Sequence, residues 1–248
     1  MNNIPLIIPN FNQTSYLINL INWWLWYNPK NPVFVLDNGS TAEVDYRDVI
    51  ELFEPNVVLI KFDDNNCVQN IREFLKNEKY HLLNEYEYYA ISDPDIMPLP
   101  NTPPNFLEIF KHAIDNYGYH HVGFGLKTDD IPDWFEGKAN MIHDEMSLLT
   151  NPTAIEFKGK RYNGFKAPID TTFALYKKSN GGWSNPQSAE AWSNSLRLFE
   201  AYHLPWYLHP EYLNDEMKNY FSTARYRIPG VTSTGVNNYR PNQYKDNT

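Results

Sequence analysis

Asp93 and Asp95, separated by a single proline, follow directly on an aromatic and apolar run, Tyr88-Tyr89-Ala90-Ile91-Ser92. Paired carboxylates at the end of a strand suit a hard divalent cation, which takes oxygen ligands and can in turn hold a diphosphate. The blander reading is an Asp-Pro turn that closes a strand. Two other turns carry polar groups of similar use, Asn10-Phe11-Asn12 and Asp37-Asn38-Gly39-Ser40. Neither a Gly-x-Gly-x-x-Gly fingerprint nor a Gly-x-x-x-x-Gly-Lys loop occurs, so a cation is the simplest way to hold phosphates here.

These turns need rigid elements behind them. Ile4 to Pro9 has the apolar continuity of a buried strand, and Thr14 or Ser15 can cap a helix with apolar residues Leu17, Leu20, Ile21, Trp24 and Leu25 at helical spacing. Val33 to Leu36 is the next strand. Asp37-Asn38-Gly39 has a hairpin composition, but Ser40-Thr41-Ala42-Glu43 has the form of a capping box and a helical rhythm follows it. A strand-to-helix turn is therefore expected there. Strands at Val57 to Phe62, Tyr88 to Ser92 and His121 to Leu126 alternate with helices at Val68 to Lys76 and around Phe106 to Ile114. That alternation predicts an α/β fold, with a mostly parallel central sheet flanked by helices. In open sheets of this kind, ligands settle beyond the carboxyl ends of the strands, where all three polar turns fall.

Periodicity weakens after Lys127. Residues 129–152 read as loop with room for one helix, Thr153 to Phe157 and Ile169 to Tyr176 as strands, and Ser188 to Tyr202 as a helix. An antiparallel strand or two and the surface for a second substrate are expected in this mixed half. No linker divides the chain, so one domain over 1–248 is expected, with residues 229–248 as an extended tail.

Composition narrows the partners. The chain has 248 residues, is 42% hydrophobic and 16% aromatic, and carries 21 Lys+Arg against 30 Asp+Glu for a net charge of −9. That balance argues for a packed globule and against nucleic acid as the main partner. Cys67 is the only cysteine, which excludes an intrachain disulfide and favours a reducing, cytoplasmic setting. The N-terminus lacks the pattern of a signal peptide. The apolar stretch from Tyr16 to Tyr27 is too short to span a bilayer, although Trp23, Trp24 and Trp26 leave peripheral membrane contact open beside core packing.

Taken in order, Ile4-Pro5-Leu6-Ile7-Ile8-Pro9-Asn10-Phe11-Asn12, Val35-Leu36-Asp37-Asn38-Gly39-Ser40 and the Asp-x-Asp strand end resemble the nucleotide-binding half of GT-A glycosyltransferases, and most of all the family 2 type. The resemblance covers residues 4–126 and leaves 127–228 as the acceptor-side half. It implies that Pro9, Asn10, Asp37 and Asn38 hold the base and ribose of a UDP-, GDP- or dTDP-sugar. It also implies that Asp93 and Asp95 serve the ribose and an Mn²⁺ or Mg²⁺ ion on the diphosphate, Asp95 as the direct ligand. Arg72 is a further nucleotide contact, with a solvated helix face as its alternative. A shorter similarity near the C-terminus, His203-Leu204-Pro205-Trp206-Tyr207-Leu208-His209-Pro210, offers His209 as a third metal ligand, against an ordinary packed histidine.

Transfer to a hydroxyl of a glycan or other acceptor with inversion requires a carboxylate base. Asp170, before an expected strand, is the candidate, and Glu145, Asp129 and Asp130 compete with it. Trp134, Trp183 and Trp192 are candidates for stacking on an acceptor sugar. Arg225, Arg227 and Arg240 are candidates for closing over the diphosphate, with a solvated tail as the alternative. His120 and His121 read as structural, and Cys67 as a buried small hydrophobe. The alternatives to an inverting transferase are a retaining one, a sugar nucleotidyltransferase, and a non-catalytic nucleotide- or carbohydrate-binding module. The nucleotidyltransferase would want a Gly-rich basic loop where Asn10-Phe11-Asn12-Gln13 stands.

Overall fold

The computed structural model describes residues 3–41, 46–76, 85–169, 172–180, 183 and 194–223. The elements run β1 (Leu6–Asn10), α1 (Thr14–Tyr27), β2 (Val33–Asn38), α2 (Tyr46–Phe53), β3 (Val57–Phe62), α3 (Cys67–Lys76), β4 (Tyr88–Ile91) and β5 (Ile96–Pro98). They continue with α4 (Phe106–Tyr117), β6 (His121–Leu126), α5 (Lys138–Leu148), β7 (Pro152–Phe157), β8 (Lys160–Lys166), β9 (Ala174–Lys177), β10 (Ser195–His203) and α6 (Asp215–Thr223).

All the strands join one sheet in the order β3-β2-β1-β4-β9-β6-β10-β8-β7, with β5 paired to β10. The first four are mutually parallel, and β6 runs parallel to β10. β9 is antiparallel to both β4 and β6, and β7 and β8 form an antiparallel hairpin at the sheet's edge. This is the expected α/β layout, a parallel core with a mixed C-terminal half.

Side-chain alternation explains why the sheet must be covered on both faces. Leu6, Ile8, Val33, Val35, Tyr88 and Ala90 point to one face, where Leu17, Leu20, Ile21 and Trp24 of α1 and Phe106, Ile109 and Phe110 of α4 cover them. Ile7, Phe34, Leu36, Tyr89 and Ile91 point to the other, under Ile71 and Phe74 of α3. Trp23 and Trp24 pack against Phe106 and Phe173 in the first core, whereas Trp26 is 84% exposed. No helix among the described residues is long and apolar enough to cross a membrane.

Close approach forces glycine at Gly123 and at Gly164 of β8, where a Cβ would sit 2.3 Å from the Arg197 carbonyl. A Cβ on Gly123 of β6 would sit 2.2 Å from the Phe173 carbonyl, the same carbonyl that accepts from Phe124 N–H.

Two expectations are corrected. The helix expected from Ser188 to Tyr202 is instead strand β10 from Ser195 onward, with residues 184–193 outside the described set. Leu196 and Leu198 alternate around a buried Arg197, a period of two that the charge disguises. The strand expected from Ile169 starts only at Ala174. Strands β5 and β8 have no counterpart in the sequence reading. β5 is three residues long, and β8 (KRYNGFK) lacks a run of apolar residues.

Candidate active site

Strand order reverses between β1 and β4: β2 and β3 lie on one side of β1, and β4 on the other. In such sheets ligands settle beyond the carboxyl ends of the strands at this reversal, here those of β1 and β4. Asn10 ends β1, Asp37 and Asn38 end β2 in register with it, and Asp93 and Asp95 follow β4. All the residues expected for base, ribose and cation except Arg72 and His209 thus come from adjacent strand ends. Arg72 lies half-buried on α3.

The Asp93-Pro94-Asp95-Ile96 segment is a tight turn in which Ile96 N–H donates to Asp93 O at 3.4 Å, with proline at a position it favours. The turn drives the Asp95 side chain inward, so that the residue is 5% exposed while Asp93 is half-buried. Asp95 Oδ2 accepts from Gln13 Nε2 at 3.2 Å and lies 3.9 Å from His203 Nε2. Asp95 Oδ1 and His203 Nδ1 are buried with no hydrogen-bond partner among the described residues. A buried carboxylate oxygen without a donor is unfavourable unless something else supplies positive charge. A divalent cation satisfies that requirement. Among the described residues no three His, Cys, Asp or Glu side chains converge as a ready-made metal cage. An ion at Asp95 would therefore complete its shell from the ligand and water, as magnesium commonly does.

The neighbours share the field of these carboxylates. Burial, then Asp95 and Glu216, pushes the Tyr16 phenol up. Burial, then Asp95 and Asp93, does the same to Tyr220. Both stay protonated and able to donate. Burial lowers His203 against the pull of Asp95 and Glu145, which keeps its imidazole neutral at pH 7. The Cys67 thiol is raised by burial and by Asp93, which keeps it protonated at neutral pH.

A network behind the carboxylates fixes the other two turns. Asn38 Nδ2 donates to Asn10 O and Leu36 O, and Asn38 Oδ1 accepts from Asn70 Nδ2 at 2.8 Å. Asp37 Oδ1 accepts from Ser40 N–H at 3.1 Å. Gly39 has φ 69°, and a Cβ there would press on the Asp63–Asp64 backbone. Fully buried Asn12 takes the left-handed conformation at φ 55°, which asparagine tolerates. It bonds Ser40, Thr41 and Thr223, so one side chain joins both strand-end turns to α6. The Ser40 hydroxyl is thus engaged by Asn12, and Ala42 and Glu43 of the expected capping box lie outside the described set.

Helix α6 forms the rim. Glu216 accepts from Ser15 N–H and the Ser15 hydroxyl, placing a carboxylate at the start of α1, where the helix dipole favours one. Met217 and Phe221 anchor α6 against Tyr16, Phe135, Met141 and Trp206.

The remaining candidates separate. Asp170 lies outside the described residues, as do Trp192, Arg225, Arg227 and Arg240. Thr172 and Phe173 are buried where β9 begins, opposite the carboxyl end of β4. Glu145 is engaged by Arg197 at 2.5 Å, and Asp129 and Asp130 both pair with Lys127. Trp183 is buried in the second core with its backbone N–H on Tyr89 Oη, so it offers no stacking face. His209 packs between Trp134 and Tyr212 and accepts from Glu211 N–H. His203, Gln13, Asn12 and Asn70 had no assigned role in the sequence reading. Asn12 and Gln13, polar residues directly after the first strand, were the available signal; Asn70 on α3 and His203 at the end of β10 come from elements that only the fold brings near.

Neither a protein-family model nor a curated protein sequence matches the chain. Solved structures resemble it at low identity. A mannosyltransferase from Pyrobaculum calidifontis, in complex with GDP-Man and Mn²⁺, is 12% identical over 81% of this chain and 56% of that one, with a TM-score of 0.48. S. aureus TarS 1–349 with UDP-GlcNAc is 15% identical over 88% and 65%, at 0.46. The galactosyltransferase LgtC with donor and acceptor sugar analogues is 10% identical over 74% and 61%, at 0.39. The chain spans little more than half the length of the mannosyltransferase structure. The similarity is remote in sequence and partial in structure.

Proposed function

We propose that the protein is a divalent-metal-dependent glycosyltransferase that moves a sugar from a nucleotide-diphosphate donor to a hydroxyl acceptor, with inversion. The observation that carries this reading is Asp95. Its carboxylate is buried at the point where strand order reverses, oriented by Gln13, and has one oxygen without a donor among the described residues.

In this reading Asn10 and Asp37 take the base and ribose, Asp93 takes the ribose or the cation, and Asp95 holds Mn²⁺ or Mg²⁺. The cation, when bound, neutralises the departing diphosphate. His203 rather than His209 stands within reach of Asp95 and is the better candidate for a further protein ligand. Tyr16 and Tyr220, held protonated, can donate to donor oxygens. The acceptor oxygen attacks the anomeric carbon as the bond to the β-phosphate oxygen breaks. The hydroxyl proton passes to a carboxylate base, for which Asp170 remains the proposal.

Thermal-shift measurements with UDP-, GDP- and dTDP-sugars test the reading. A rise in Tm that needs both nucleotide and Mn²⁺ is expected by mass action. Absence of a shift with every donor contradicts it. Asp170→Asn should keep that shift and lose transfer, and near-normal transfer would hand the role to another carboxylate.

A further inference from the structure

Three rings stand in a row on the rim beside this site. Trp134, in the loop after β6, meets His209 at 5.3 Å between centroids, and His209 meets Tyr212 at 4.9 Å. Trp134 is 47% exposed and Tyr212 is 79% exposed. Single exposed apolar residues are ordinary, but contiguous exposed rings mark binding surfaces. These rings are also held in place. Residues 210–212 form a short 3-10 turn that Pro210 opens, Tyr212 N–H donates to His209 O at 3.0 Å, and His209 Nδ1 accepts from Glu211 N–H.

Their position connects them to the candidate active site. The segment that carries His209 and Tyr212 leaves β10 at His203, whose neighbour Leu204 donates its N–H to Asp95 O at 2.9 Å. His203 packs against Trp206 at a tilt, with centroids 4.8 Å apart, and Trp206 lies against Phe135, the residue after Trp134. One packed path therefore runs from the Asp95 carboxylate to the exposed rings.

The charge around the rings selects the ligand. Asp129, Asp130, Asp133 and Glu136 lie in the same loop, where Lys127 pairs with Asp129 and Asp130 and Lys138 pairs with Asp133. Carboxylates still outnumber cations there, and Tyr207 Oη donates to Asp130 at 2.6 Å. Stacking platforms for nucleic acid sit in basic grooves, and this one does not. Membrane-surface sites pair apolar rings with Lys and Arg, which are also not the dominant neighbours here. A pyranose fits. Its C–H faces are weakly positive and complement the negative faces of aromatic rings, and its hydroxyls donate to carboxylates.

We propose that Trp134, His209 and Tyr212 form the acceptor subsite and that it receives a neutral sugar unit of an oligosaccharide. The assignment takes its meaning from the proposed transfer, but sugar binding needs neither donor nor metal and is measured separately. The full chain is titrated with a panel of neutral oligosaccharides (maltotriose, chitotriose, cellotriose and β-1,4-galactotriose), read by tryptophan fluorescence and by saturation-transfer NMR. At least one should bind, with its saturation-transfer signal strongest on ring protons of one face. Trp134→Ala and Tyr212→Ala should each weaken it by about tenfold or more, the order expected for one lost stacking contact. Trp134→Phe should restore much of the loss. None of the three variants should change Tm appreciably or alter the Mn²⁺-dependent shift with nucleotide sugar. Binding that survives both alanine variants, or no binding by any member of the panel, overturns the subsite. A lost nucleotide shift with sugar binding intact would leave the subsite standing and contradict the transferase reading instead.

Discussion

Strand β10 carries a buried arginine near its start and a half-buried histidine at its end, and the two are handled in opposite ways. Arg197, near its start, gives Nη1 to Glu145 at 2.5 Å and Nε to Pro168 O at 2.7 Å. Every contact there is protein to protein, and it ties α5 to the segment before β9. His203, at the strand's end, stands 3.9 Å from Asp95, and each of the two side chains keeps a buried atom without a partner among the described residues. One cluster is complete as folded. The other is complete only with something added. Buried polar groups are normally satisfied, and this pair falls at the strand ends where ligands settle in such sheets, which is why the proposed function rests on it.

The comparison predicts opposite responses to mutation. Asp95→Asn should lower metal-promoted transfer by about a thousandfold, the several kcal/mol of leaving-group stabilisation that a bound cation provides. Its Tm should stay level or rise, because a buried carboxylate lacking full compensation is removed. Steady-state kinetics and a thermal melt on the same sample check both halves. Arg197→Ala should do the reverse, lowering stability by about 3–5 kcal/mol by leaving the Glu145 carboxylate buried and unpaired. Nucleotide affinity should hold below the lowered Tm. Replacing both members by methionine should recover most of the loss, which a double-mutant cycle in denaturant can measure.

A pH series sharpens the contrast from a third site. His121 is buried at the start of β6, stacked on Tyr176, bonded to Ser195 Oγ and next to His120. Burial, then His120, lowers it to about 3. The unfolded chain takes up that proton first, so stability falls as pH drops from about 6.5 toward 3. His121→Gln should flatten the melting profile between about pH 6 and 4. Asp115 stabilises fully above the usual carboxylate pKa of 3.8 and loses that stabilisation only as pH falls from there toward 2, below the His121→Gln window. Burial raises it, but bonds from Lys177, Tyr88 and Lys111 outweigh this and bring it to about 2. The smallest effect is expected from Glu216→Gln, which removes charge from the start of α1 and should lower stability by about 0.5–1 kcal/mol.

The sequence made the first half legible because its strands are short, apolar and bounded by turn residues. The ends of β3 and β6 fall where the pattern puts them. The strand-end polar residues were legible for the same reason, since a strand's last residues are what a crevice presents. The second half was harder because its strands owe their burial to partners distant in sequence. Lys160 to Lys166 has almost no apolar alternation and holds its place by pairing with β7 and β10. Arg197 breaks the apolar pattern of β10, and its compensation by Glu145 lies 52 residues away. His203 could not be told from His209 by type or spacing. Only the approach of β10 to the turn after β4 separates them.

The most direct test of the account is anomalous scattering at the manganese edge from crystals soaked with Mn²⁺ and UDP. The account predicts a peak within about 2–2.3 Å of Asp95 Oδ1, bridging to the diphosphate, as expected for a divalent ion on oxygen ligands. Nucleotide bound beyond these strand ends with manganese absent from Asp95 would contradict it.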